Sequence, residues 1–151
     1  MLQLECLETK KSKSTRIFSV FCIEPLLKGE GITFGNAIRR VLLSDIVGTA
    51  FIGVQITGVN HEFSLTSCFK EDIIEILLNI KQIILSGKSK AQGPLTAELK
   101  FQGPGILTAG DIKLPEGIQA VEPTQYLATV TNSQSISMRF FIETASGYVI
   151  S

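Results

Sequence analysis

Two stretches of helical period are set into a sequence that otherwise alternates. That mixture limits the fold to one in which helices and sheet share a core. The first stretch runs from Thr33, a candidate N-cap, to about Ser44, with Gly48 beyond its end. On a wheel of about 100° per residue, Phe34, Ile38, Val41 and Leu42 share one side, with Ala37 at its edge. That side is a core stripe. Asn36, Arg39, Arg40 and Leu43 share the other side, which reads either as a solvated face or as a contact surface. The second stretch spans Lys70 to Leu85. Ile73, Ile76, Leu77, Ile80, Ile83 and Ile84 form a wide buried arc that Ile74 and Leu78 widen further. Glu75, Asn79 and Gln82 lie opposite. Lys81 falls beside Ile74 and Leu78, where it either snorkels along its stem to water or meets a partner at the arc's edge.

The alternating segments read as about eight short strands. Residues 16–24 are apolar on both faces, which predicts a strand covered on each side. Lys10 to Ser14 before it is a polar turn, and Pro25 to Gly31 after it is a breaker. Residues 50–58, 95–101, 126–130 and 135–143 also alternate. Val59 to Ser64 continues after a turn, and Ser86 to Lys90 is a loop. Gly103-Pro104-Gly105 and Pro115-Glu116-Gly117 are turns, and Thr131 to Gln134 reads as the turn of a hairpin. Runs of neighbouring strands favour an antiparallel α+β arrangement.

The chemistry is sparse. Lysine plus arginine and aspartate plus glutamate both number 14, so the formal net charge is zero. A protein that coats nucleic acid carries a basic excess, so the electrostatics point to protein partners. No apolar run approaches the roughly 20 residues that cross a bilayer. The start, Met1 to Cys6, lacks the basic and apolar regions of a signal peptide. Cys6, Cys22 and Cys68 are odd in number and widely spaced, as suits a reducing compartment. Gly29-x-Gly31-x-x-x-Gly35 has Phe34 where a dinucleotide loop needs glycine, and Gly87-Lys88-Ser89 has Gln82 where a phosphate loop needs one. His61 is the sole histidine and reads as structural. Glu71, Asp72 and Glu75 read as a charge bias at a helix start. No catalytic, cofactor-binding or metal-binding set emerges.

Five ordered segments carry a resemblance. They are Gly29 to Ser44; Val59 to Ser64; Glu71 to Lys81; Gly103-Pro104-Gly105 with Thr108 to Ile112; and Gly147-Tyr148-Val149. Together they resemble the amino-terminal region of bacterial and plastid RNA polymerase alpha subunits over nearly the whole chain. Leu4-Glu5-Cys6 and Val59-Asn60-His61-Glu62-Phe63 are most similar to cyanobacterial and plastid members. With ten lysines against four arginines and 19 isoleucines, the sequence leans to a plastid stroma, with a bacterial cytoplasm as the alternative.

The resemblance implies a scaffold without a cofactor or catalytic residues of its own. Two copies dimerise and gather the large β and β′ subunits for transcription. It reaches DNA only through the complex and has no membrane or small-molecule partner. It implies two subdomains: a discontinuous dimerisation subdomain, whose first half is residues 1–47, and a β-rich antiparallel insertion with one helix, residues 48–151. Arg39, Arg40, Leu43, Glu75 and Lys81 would contact β and β′. Phe34, Ile38, Val41 and Leu42 would form the dimer interface. In the family the chain returns to the first subdomain after Gly-Tyr-Val, whereas this sequence stops at Ser151. The expectation is a fragment, or a fold that another polypeptide completes. The alternative from another class is a stand-alone β-rich protein- or ligand-binding module.

Overall fold

Apolar–polar alternation and two helical runs build an α+β fold of nine strands and two helices among the described residues. The computed structural model describes residues 2–11, 17–64, 66–87 and 94–147. In chain order the elements are β1 (Gln3–Lys11), β2 (Ile17–Glu24), α1 (Glu30–Ser44), β3 (Val47–Ile56), α2 (Ile73–Lys81), β4 (Leu85–Gly87), β5 (Leu95–Gln102) and β6 (Gly105–Thr108). A one-turn 3-10 helix (Ala109–Asp111) follows, then β7 (Ile118–Ala120), β8 (Tyr126–Val130) and β9 (Ser135–Ser146). Of the turn expected over Lys10–Ser14 and the loop expected over Ser86–Lys90, Lys10 and Lys11 end β1 and Ser86 and Gly87 belong to β4, whereas 12–14, 88–90 and the Tyr148-Val149 motif lie outside the described residues.

The elements divide into two compact units, Met1–Gly48 with Ala145–Ser151, and Thr49–Thr144. The first contains the antiparallel pair β1–β2 and helix α1. Helix α1 starts three residues before Thr33. Its N-cap is Gly29 at φ 94, and Glu30 Oε2 accepts a hydrogen bond from the Leu27 N–H at 2.8 Å. Glycine adopts that left-handed conformation without the penalty a Cβ would bring. Thr33 therefore sits inside the first turn and caps nothing. The helix ends at Ser44 with Asp45 as C-cap, and Gly48 belongs to β3.

The core lies entirely in the second unit. Sheet order is β3-β9-β5, with separate pairs β4–β7 and β6–β8. In β9 the residues Ile136, Met138, Phe140 and Ile142 point inward, opposite Phe101, Leu99, Ala97 and Leu95 of β5. The small Ala97 faces the large Phe140, so the layer fills without a clash. Gly103-Pro104 turns β5 into β6, as the sequence predicts. Thr108 and Asp111 close a capping box around the 3-10 turn, with the Thr108 N–H and hydroxyl donating to Asp111 Oδ2 at 2.8 and 2.9 Å.

Three expectations change. Residues 131–134 do not join a hairpin, because β8 pairs with β6 whereas β9 pairs within the other sheet. Turns, not a strand, occupy 57–64 apart from Ser64 and the short lead-in at 59–60. The helix expected over 70–85 contracts to Ile73–Lys81. Phe69 bridges to Val130, the Lys70 N–H donates to the Thr129 carbonyl at 3.0 Å, and Leu85 starts a strand. A continuous isoleucine run suits a helix and a buried strand equally well, so periodicity alone overextends the helix.

Candidate functional site

Helix α1 has the expected two faces, but no residue of it is buried. Phe34 is 40% exposed and Leu43 65%, and Ile38, Val41 and Leu42 lie between. Strand β2 is covered only in part, with Ile17, Phe18 and Phe21 exposed and Val20, Cys22 and Ile23 half-buried. The core stripe and the strand covered on each side are therefore corrected. A two-stranded pair and one helix have too little surface to bury each other's apolar residues. Arg39 and Arg40 are exposed, and neither forms an ion pair among the described residues. Ser44 Oγ donates to the Arg40 carbonyl at 2.8 Å and closes the last turn beneath it.

Apolar area exposed on this scale favours association. The 151-residue chain alone is expected to self-associate. Sedimentation velocity checks this, and a stable monodisperse monomer would contradict it.

Helix α2 carries the second face. Ile73, Ile76 and Ile80 anchor it in the core. Ile74 and Leu78, expected to widen the buried arc, are instead 43% and 55% exposed, and Ile84 is exposed too. Lys81 needs no snorkelling, because the surface beside it is open. Ile74, Leu78 and Lys81, with Glu75 at one flank, form one exposed arc of about 120°. The structure thus brings Glu75 and Lys81 together around an apolar pair. Two exposed aliphatic side chains rimmed by opposite charges have the make-up of a protein interface.

Asn79, expected on a solvated side, faces strand β8. Its Nδ2 donates to the Leu127 carbonyl at 2.9 Å. Glu71, read as mere helix-start charge, accepts the Thr129 N–H at 2.7 Å through Oε2 and the Tyr126 hydroxyl through Oε1. Burial raises the Glu71 pKa, but hydrogen bonds from the Thr129 N–H and the Tyr126 hydroxyl outweigh it and hold the carboxyl below its ordinary value. Burial pushes the Tyr126 phenol up, and the Glu71 carboxylate beside it adds to the rise.

Glu71 contributes stability that is complete above the ordinary glutamate range and is lost as pH falls through the folded-state value. Between about pH 6 and pH 3, the midpoint of thermal unfolding should fall more steeply in the unaltered protein than in Glu71→Gln. Equal slopes would contradict this.

The remaining candidates do not assemble into chemistry. His61 is exposed on a turn where its N–H donates to Ser64 Oγ at 3.2 Å and its carbonyl accepts the Ser64 N–H at 3.0 Å. Among the described residues no group of three His, Cys, Asp or Glu could hold a metal. No described helix is long and apolar enough to cross a membrane. A shallow depression of about 280 Å³ is lined by Ser86, Gly87, Gly117, Ile118 and Gln119, none of them titratable.

Comparison with known proteins places the β-rich body in a family. The chain is 48% identical over 151 residues to the DNA-directed RNA polymerase subunit alpha of Emiliania huxleyi, covering 100% of this chain and 48% of the relative. It is 46% identical over 147 residues to that of Cyanidium caldarium, covering 97% and 47%. It is 44% identical over 146 residues to that of Rhodomonas salina, covering 97% and 46%. The chain thus spans about half the length of the curated relatives it matches. Residues 54–151 match the model of the RNA polymerase Rpb3/RpoA insert domain. On that match the chain belongs to the RNA polymerase Rpb3/RpoA insert domain family.

Proposed function

We propose that this chain is part of a scaffold subunit of a DNA-directed RNA polymerase, one that dimerises and gathers the β and β′ subunits without performing chemistry. The observation that carries the reading is helix α1, which has a regular apolar stripe and a basic face yet not one buried residue. A 15-residue helix is marginal in water by itself, so such a helix is built to be covered. The stripe Phe34, Ile38, Val41 and Leu42 meets a second copy. Arg39, Arg40 and Leu43 on the other face, and Glu75 and Lys81 on α2, contact β and β′. Residues 1–47 form the first half of the dimerisation subdomain, and the insertion expected over 48–151 takes up the second compact unit, Thr49–Thr144. Similarity to alpha subunits of algae supports a plastid stroma as the site of action.

The test is co-expression of the tagged polypeptide with β, unaltered and as Arg40→Ala. The unaltered form should retain β. Arg40→Ala should weaken capture by about 2 kcal/mol, the typical cost of removing an interfacial arginine anchor. Full retention by the variant would remove Arg40 from the interface. No β with the unaltered form would favour a stand-alone binding module.

A further inference from the structure

We infer that Glu71 and Asn79 are positioning residues. They fasten α2 to the open edge of β8 and so aim the helix face that carries Ile74, Leu78 and Lys81. The inference rests on the proposed role of that face in binding the large subunits.

Strand β8 pairs with β6 along one edge. Its other edge would leave backbone groups unmet. Instead, the Thr131 N–H donates to the Cys68 carbonyl at 2.9 Å, and the Lys70 N–H donates to the Thr129 carbonyl at 3.0 Å. There the chain turns into the helix and can offer no more backbone. Two side chains take over the ladder. Glu71 Oε2 accepts the Thr129 N–H at 2.7 Å, and Asn79 Nδ2 donates to the Leu127 carbonyl at 2.9 Å. One residue precedes the helix and the other lies in its last turn, so the helix is pinned at both ends.

The pins supply what the core contacts cannot. Burial of Ile73, Ile76 and Ile80 is non-directional, and a helix of nine residues is too short to hold its own setting. A slip of one residue would turn the exposed face by about 100°. Hydrogen bonds are directional, and two of them at separate points block both sliding and rotation. A pair of strand groups two residues apart, about 7 Å along β8, thereby fixes where Lys81 and its apolar neighbours point.

The experiment titrates β and β′ against the whole polypeptide in its dimeric state. The variants are Asn79→Asp, Glu71→Leu, Glu71→Gln and, for the contact itself, Lys81→Ala. Asn79→Asp keeps the shape, removes the donor and sets a carboxylate oxygen against the Leu127 carbonyl, so binding is read per folded molecule. Amide exchange at Thr129 and along α2 is read on the same preparations. Asn79→Asp and Glu71→Leu should loosen those amides and weaken binding per folded molecule about tenfold. Glu71→Gln keeps an acceptor oxygen and should bind within about threefold of the unaltered protein. Loss with Lys81→Ala but not with Asn79→Asp or Glu71→Leu would overturn the positioning role and leave the proposed function standing. Equal loss with Glu71→Gln and Glu71→Leu would overturn the hydrogen-bond basis. Unchanged binding in all four would remove α2 from the interface, and the inference with it.

Discussion

Phe140→Ala is expected to destabilise the β-rich unit by about 3–5 kcal/mol. Phe140 is fully buried in β9, the middle strand of its sheet. Its ring lies 5.2 Å from that of Phe51 in a tilted arrangement, and Ala97 faces it across the ladder. Ala97, with only a methyl group, cannot expand into the space. The cost therefore combines lost burial with an uncollapsed cavity and a lost aromatic pair. Domains of this size hold about 5–15 kcal/mol in total, so the change removes a large part of the margin. Urea unfolding should show a lower midpoint with an unchanged slope. A midpoint shift worth less than about 1 kcal/mol would contradict the packing described.

Gly103→Ala is the second large effect. A Cβ at Gly103 would lie 2.3 Å from the Asn132 carbonyl oxygen and 2.4 Å from Cγ1 of Val130. The first is backbone in the turn after β8, and the second is a buried core side chain, so neither yields without moving the strand end. The turn between β5 and β6 rests directly on the turn between β8 and β9, and only a hydrogen fits between them. Overpacking of this kind costs about 1–3 kcal/mol and more where backbone must shift. By contrast, a Cβ at Gly31 or Gly35 meets nothing within 4 Å, so Gly35→Ala should leave stability unchanged or slightly improved, since alanine favours a helix. Thermal unfolding of the two variants side by side checks the contrast, and equal midpoints would contradict it.

Much of the second unit was legible in the sequence because strand period and turn residues are local signals. Alternation from Leu95 and from Ser135 marks β5 and β9, and Gly103-Pro104-Gly105 marks the turn between two strands. What local pattern could not show is how distant segments satisfy one another. Glu71 meets Thr129 58 positions later, and Asn79 meets Leu127 48 positions later. Each looked like surface charge or polarity because its partner lies on another element. The isoleucine run misled for a related reason. Hydrophobicity marks Ile83 and Ile84 alike as core, yet only Ile83 is buried, and it does not show that the helix stops at Lys81 before reaching them.

The faces of α1 show a different limit. Period identified which side of the helix wants cover and which carries Arg39 and Arg40, and both sides proved open. An amphipathic pattern reports a demand for burial and not what meets it. The same holds for α2, where Ile74 and Leu78 look like core by type and lie on the surface by position. On both helices, exposed apolar residues lie beside the charged ones that the proposed function uses.

The central claim is that two copies of this polypeptide hold one β and one β′. Native mass spectrometry of the complex purified through a tag on the polypeptide tests it most directly. The account predicts a particle with two copies of the tagged polypeptide and one of each large subunit. A tagged polypeptide that emerges intact without either large subunit would contradict it.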